Sequence, residues 1–165
     1  MENNRFMDFT IDKINAIVHV KREFRASVAR VWAAWSQAEL LDKWWAPRPY
    51  VAITRSLDFR EGGQWIYSMV GPEGDEHFCR VDYKAIQPLQ SMSWLDAFTN
   101  AEGEQNVEFP RSDWHIEFSG EHELTMIHVK IKHEKLSDLE RILEMGFKDG
   151  FTMALYNLDE LLEQS

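Results

Sequence analysis

The residues of this chain that could do chemistry are six histidines, one cysteine, and a few carboxylates and hydroxyls on strand-like segments. A metal centre needs ligands at fixed spacing. His19, His77, His115, His122, His128 and His133 show no H-E-x-x-H and no helical metal spacing, so no metal is expected. His115 and His128 fall on opposing strands of one hairpin, on its polar face and out of direct opposition. Solvated strand histidines are the expected state. Cys79 lies mid-strand, where a lone cysteine acts as a small hydrophobe. No G-x-S-x-G elbow and no Ser-His-Asp set can be assigned. Gly62-Gly63 and Gly71-Pro72-Glu73-Gly74 are turns rather than phosphate cradles, because no Lys-Ser or Lys-Thr follows. No catalytic residue and no cofactor is therefore expected. Acid–base work needs an inward carboxylate with a displaced pKa. Asp96 is the best candidate, sharing a strand face with Trp94 and Phe98, although its place near the strand end favours a rim position in water. Tyr67 could supply a hydroxyl. Asp58 and Arg60 sit on one strand face and suggest a structural pair.

These groups must be positioned by elements that follow hydrophobic period. Residues 14–24 alternate through Ile14, Ala16, Val18 and Val20 and predict a first strand. Ser27 caps a helix carrying Val28, Val31, Trp32 and Trp35. A second helix runs from Gln37 to about Trp45, and Pro47 and Pro49 end it. From Tyr50 the period becomes two. Val51, Ile53, Leu57 and Phe59 lead to the Glu61-Gly62-Gly63 turn, and Trp65, Tyr67 and Met69 alternate on the return. Residues 77–87 and 90–98 give two more strands, with Met92, Trp94, Asp96 and Phe98 on one face. Residues 99–110 are polar loop. Trp114, Ile116 and Phe118 alternate, Ser119-Gly120-Glu121 turns the chain, and Ile127, Val129 and Ile131 return on the same face. Ser137 caps a short segment with Leu139, Ile142 and Leu143. A long helix then spans about 145–163, with Phe147, Phe151, Ala154, Leu158 and Leu161 as its stripe. Gly150 inside it serves either a close approach or room for a cavity. The order is β-α-α-β-β-β-β-β-β-α. It predicts an α+β fold, one antiparallel sheet against the last helix, in a single domain spanning 1–165.

Composition excludes several classes. The 165 residues are 44% hydrophobic, with seven Trp and ten Phe, enough for a full core. One Cys makes no internal disulfide and no cysteine zinc cluster. The net charge of -10 argues against nucleic acid as a partner. No apolar run is long enough to span a membrane, and the opening residues show no signal peptide, so a cytoplasmic location is expected. The charge is uneven. Residues 99–123 carry seven acids against Arg111, and residues 134–165 carry eight against Lys135, Arg141 and Lys148. Solvated faces are the preferred account, and a basic partner is the alternative.

Several strings resemble a known family. Phe24-Arg25-Ala26-Ser27 through Val31-Trp32-Ala33-Ala34-Trp35 and Leu41-Asp42-Lys43-Trp44-Trp45-Ala46-Pro47 are similar to the opening of the SRPBCC (START and polyketide-cyclase-like) superfamily. Within it they resemble the subgroup named after the activator of the heat-shock chaperone ATPase. Asp58-Phe59-Arg60-Glu61-Gly62-Gly63-Gln64-Trp65, Met69-Val70-Gly71-Pro72-Glu73-Gly74 and Gly146-Phe147…Gly150…Ala154-Leu155…Leu158 continue the match over about residues 16–163. The resemblance implies a helix-grip fold, a curved sheet wrapped around the C-terminal helix with a hydrophobic cavity between them.

Each tryptophan taken alone reads as core filling. With a cavity implied, the set also reads as an aromatic-lined pocket. Its candidate lining is Trp35, Trp44 and Trp45 from the helices, and Trp65, Tyr67, Met69, Met92, Trp94, Asp96 and Trp114 from the strands. Phe147 and Phe151 join them from the last helix. Trp32 is left out, as exposed or within the helix pair. The leading expectation is a non-catalytic protein holding a small hydrophobic or aromatic molecule. The alternative is a module regulating a chaperone ATPase, weakened because chaperone activators carry an additional domain. A cyclase or dehydratase acting on a hydrophobic substrate ranks third. Monomer and homodimer stay open.

Overall fold

The structure is a computed structural model and describes residues 6–164. It opens with strands β1 (Met7–Asp12) and β2 (Ile17–Phe24), followed by helices α1 (Val28–Ser36) and α2 (Ala38–Trp44). Six strands follow: β3 (Val51–Leu57), β4 (Gln64–Val70), β5 (Glu76–Gln87), β6 (Ser91–Thr99), β7 (Asp113–Glu121) and β8 (Leu124–Lys132). Helices α3 (Leu136–Glu144) and α4 (Phe147–Glu163) close the chain. All eight strands form one antiparallel sheet in the order β1-β2-β8-β7-β6-β5-β4-β3. The long excursion through α1 and α2 carries the chain from β2 to the far edge at β3. Register shifts at Thr54/Ser56 and Tyr83/Ala85 mark bulges, which bend strands and increase twist. This is the helix-grip α+β arrangement.

The core lies between the inner sheet face and the helices. Trp114 opposes Ile131, Ile116 opposes Val129 and Phe118 opposes Ile127, so both apolar sets of that hairpin share a face. From the other side, α4 buries Phe151, Ala154, Leu155, Leu158 and Leu162. Burying one such leucine stabilises by roughly 1.5–3 kcal/mol. Polar clamps fix the helices. The Ser27 Oγ accepts the Arg30 N–H at 3.3 Å and starts α1. The Trp44 indole donates to the Ala34 carbonyl at 2.8 Å, joining α2 to α1. Asn157 donates to the carbonyls of Trp44 and Ala46 at 3.3 and 3.1 Å, tying α4 to the end of α2. Arg22, buried on β2, pairs with Asp159 of α4.

The observed elements differ from the expected order at several points. The additional strand β1 places Met7 and Phe9 against the core. The second strand starts at Ile17 rather than Ile14. The Asp12 carboxylate accepts the Ile14 and Asn15 N–H groups and organises a turn there, leaving Ile14 exposed. In β3 the inward phase is Ala52 and Thr54, with Val51 and Ile53 outside. The bulge then restores Leu57 to the core side. The β7–β8 strands pair through Glu121↔Leu124, so the turn falls at His122-Glu123, with His122 at φ 54°. The segment after Lys132 is a separate helix, α3. It begins beyond Lys135, so Ser137 lies in its first turn. Gly146, at φ 92°, breaks the chain between α3 and α4, which places the start of α4 at Phe147.

Candidate functional site

A cavity of about 340 Å³ opens between the sheet and α4. Its floor comes from β4, β5 and β6. Period two brings Tyr67 and Met69, His77 and Cys79, and Asp96 and Phe98 to the inner face, and Tyr67 stands directly opposite Cys79. Trp114 of β7 flanks Asp96. Phe147, Gly150, Phe151 and Ala154 of α4 form the opposite wall. Trp45 and Pro47 close one side, and Ile142, Met145 and Gly146 of the α3–α4 corner close another.

Seven of the twelve candidate residues line this cavity: Trp45, Tyr67, Met69, Asp96, Trp114, Phe147 and Phe151. Trp35, Trp44, Trp65, Met92 and Trp94 do not. They are 0–3% exposed and fill the core beneath it. The reason lies in the rings. Trp35 packs on Trp44 at 4.9 Å and on Trp94 at 6.2 Å, and Trp65 stacks on Tyr67 at 4.0 Å, so these faces are taken by one another. Trp32, in α1 of the helix pair, is half-buried and does not line the cavity. It packs edge-on against Phe118 at 5.0 Å and Phe59 at 5.9 Å.

Tyr67, Cys79 and Asp96 form a polar group in the cavity floor, while Tyr50 and His77 pair with each other farther along the lining. Tyr67 Oη accepts the Trp45 indole N–H at 2.9 Å. Burial pushes the Tyr67 hydroxyl well above its usual range, and it pushes the Cys79 thiol up to about 12. A thiol held protonated is a poor nucleophile. Asp96 Oδ1 accepts the Ser112 N–H at 2.7 Å, and Oδ2 accepts the Trp114 indole N–H at 2.9 Å. Burial still dominates and raises its pKa to about 6. The rim-in-water expectation for Asp96 therefore gives way to a place in the cavity wall. A carboxyl of this kind can exchange a proton near neutrality and can pair with a cation.

The remaining candidate groups lie elsewhere. Arg60 pairs with Asp58 at 2.7 Å on the surface. His133 is buried rather than solvated, within 2.9 Å of Ser112 Oγ. His128 meets His19 of β2 at 3.2 Å, a partner that the β7–β8 hairpin alone does not reveal. Among the described residues no group of three or more metal-ligating side chains occurs. No helix there is long and apolar enough to cross a membrane.

The family model described as Activator of Hsp90 ATPase homolog 1-like protein matches residues 25–163. The chain belongs to this family. Several solved structures have the same fold as this Activator of Hsp90 ATPase homolog 1-like chain, which is of SRPBCC type. A protein from Mycobacterium smegmatis is 26% identical with a TM-score of 0.88, over 96% of this chain and 97% of that one. A protein from Nitrosomonas europaea is 27% identical with a TM-score of 0.79, over 93% and 97%. One from Arthrobacter aurescens, at 23% identity, reaches a TM-score of 0.90 over 96% and 92%. No curated protein matches the chain.

Two of the quoted strings have structural meaning here. In Trp44-Trp45-Ala46-Pro47, Trp44 enters the core while Trp45 and Pro47 face the cavity. In Asp58–Trp65 the Gly63 backbone lies so close to the Asp58 carbonyl that a Cβ would sit 2.1 Å from it.

Sequence reasoning left Pro47, Tyr50, His77, Ala97, Phe98 and Ala154 out of the lining, together with the α3–α4 corner residues Ile142, Met145 and Gly146. Period two does place His77 on the face of Cys79. The corner carries no local signal, because its position follows from the packing of α3.

Proposed function

We propose that this chain binds a small apolar or aromatic molecule in the cavity between β4–β7 and α4. The cavity itself carries the reading: about 340 Å³, walled by Trp45, Trp114, Phe98, Phe147 and Phe151, with few polar groups among them. That volume falls in the range of small-ligand sites, about 300–1,000 Å³. The test is calorimetry and thermal unfolding with tert-butylbenzene and naphthalene. Saturable binding supports the reading. At a hundredfold excess over Kd it brings about 2.7 kcal/mol of stabilisation. Gly150→Phe puts a ring into the cavity and abolishes binding while the fold persists. No heat and no Tm shift with any apolar probe rejects the reading.

A second reading, regulation of a chaperone ATPase, is supported by the family description and by the acidic stretches at 99–123 and 134–165. Its measurement is the ATPase rate of an Hsp90-type chaperone with and without the chain. An unchanged rate rejects it.

A further inference from the structure

We propose that the cavity selects an organic ammonium cation, with Asp96 as its counter-ion and the surrounding aromatic rings as its apolar contact. This deepens, and rests on, the reading of the cavity as a binding site.

Asp96 keeps acceptor capacity that the protein does not use. Its two hydrogen bonds use one acceptor position on each oxygen, and a carboxylate has further positions to offer. Among the described residues no Lys, Arg or His forms an ion pair with it. Arg111 lies nearby on the far side. Its Nε donates to the Asp96 backbone carbonyl at 2.8 Å and its guanidinium pairs with Asp82. The cavity wall thus holds a carboxylate that is desolvated without a cation on the cavity side, and burying such a charge is costly.

Next to it stands a corner of three rings. Trp45 and Trp114 have centroids 5.8 Å apart, Trp114 and Phe151 5.5 Å, and Trp45 and Phe151 6.4 Å, inclined at 49°, 86° and 70°. Aromatic faces attract cations, Trp most strongly. The Trp114 indole N–H donates to Asp96, so the carboxylate and the ring system are one hydrogen-bonded unit. A substituted ammonium meets both: charge toward Asp96 and alkyl groups toward the rings. The net charge of -10 also enriches cations around the molecule. An anionic ligand would meet Asp96 as a like charge.

The groups around Asp96 are Tyr67 and Cys79 on the floor and Arg111 and Asp113 outside the lining, and the other titratable lining groups, His77 and Tyr50, lie farther along it. Above the Asp96 pKa of about 6 the carboxylate is ionised and the cation is favoured. Below it the preference fades.

The probe pair is phenyltrimethylammonium and its neutral isostere tert-butylbenzene, titrated calorimetrically at pH 7.5 and at pH 5. The expected result at pH 7.5 is about tenfold tighter binding of the cation. That preference is lost in Asp96→Asn and shrinks at pH 5. In Asp96→Asn the affinity ratio of the two probes is expected to be the same at both pH values, and a ratio that still falls at pH 5 in the variant overturns the assignment to Asp96. Tight binding of tert-butylbenzene with no cation preference overturns this inference and leaves the binding function standing. Binding of neither probe overturns both. A preference that survives Asp96→Asn and vanishes at 0.5 M salt belongs to the acidic surface and also overturns it. If Asp96→Asn does not fold, the ratio of the two affinities in the unaltered chain, at the two pH values, decides alone.

Discussion

At the scale of single residues, Asp96 gives the fold a pH-dependent stability. Its pKa in the folded chain is about 6, above the carboxylate value of about 3.9 in an unfolded chain. Between these values the folded state holds the proton more strongly. Its contribution is therefore most favourable below pH 4, weakens as the pH rises through about 6, and stays unfavourable above that. The shift corresponds to roughly 2–3 kcal/mol. Asp96→Asn removes this dependence. Urea unfolding at pH 4.5 and 7.5 is expected to show the variant gaining on the unaltered chain as the pH rises. A constant difference contradicts the buried carboxylate. Arg22 and Asp159 show the reverse logic. Asp159→Ala strands a guanidinium that is 2% exposed and is expected to cost about 3–5 kcal/mol by denaturant titration. A loss under 1 kcal/mol contradicts the buried pair.

Among the elements, two glycines separate a helix position with space from a strand position without it. A Cβ on Gly150 of α4 meets only Pro47 Cγ at 3.7 Å, an ordinary contact. Gly150→Ala is expected to stabilise by about 0.5–1 kcal/mol, because alanine is the better helix former. Of the two uses expected for Gly150, it has the cavity rather than the close approach. A Cβ on Gly120 of β7 would lie 2.1 Å from the Leu124 carbonyl oxygen. Gly120→Ala is expected to cost about 1–3 kcal/mol, and its thermal unfolding checks the sign. What the sequence could show divides along the same line. Strands β4 to β8 and the pair α1–α2 were legible from alternation and helical spacing, since each buries one face. Strand β1 carries the same alternation in Met7, Phe9 and Ile11 and was overlooked, and as an edge strand it buries little, with Ile11 exposed. The phase of β3 was not legible, because a bulge inserts a residue and no residue type announces it. The break between α3 and α4 was read at about residue 145, and the structure sets it at Gly146, a glycine at φ 92°, so the long helix begins two residues later than expected.

Across the whole molecule, the candidate site was legible by residue type more than by place. Aromatic alternation identified inward faces, and Trp45, Tyr67, Asp96 and Trp114 do meet at one cavity. It could not separate a ring that lines space from one that fills it, since both sit on the same inward face. Trp94 and Trp114 show this. They stack at 5.4 Å in directly paired positions, yet Trp114 faces the cavity while Trp94 lies beneath Trp35 and Trp45. His19 and His128 were missed for a related reason, since their strands are neighbours in the sheet and distant in the chain.

The six clustered tryptophans have an optical consequence. Neighbouring indoles from Trp35 through Trp45 to Trp94 and Trp114 have centroids 4.9–6.4 Å apart, and Trp65 joins through Trp45 at 5.5 Å. Excitation hops readily across such gaps, so light absorbed by any of the six is shared by all. Only Trp45 and Trp114 touch the cavity. The proposed ligand, seated against those two rings, is therefore expected to quench or shift the emission of the whole cluster, which a fluorescence titration of the unaltered chain would read directly.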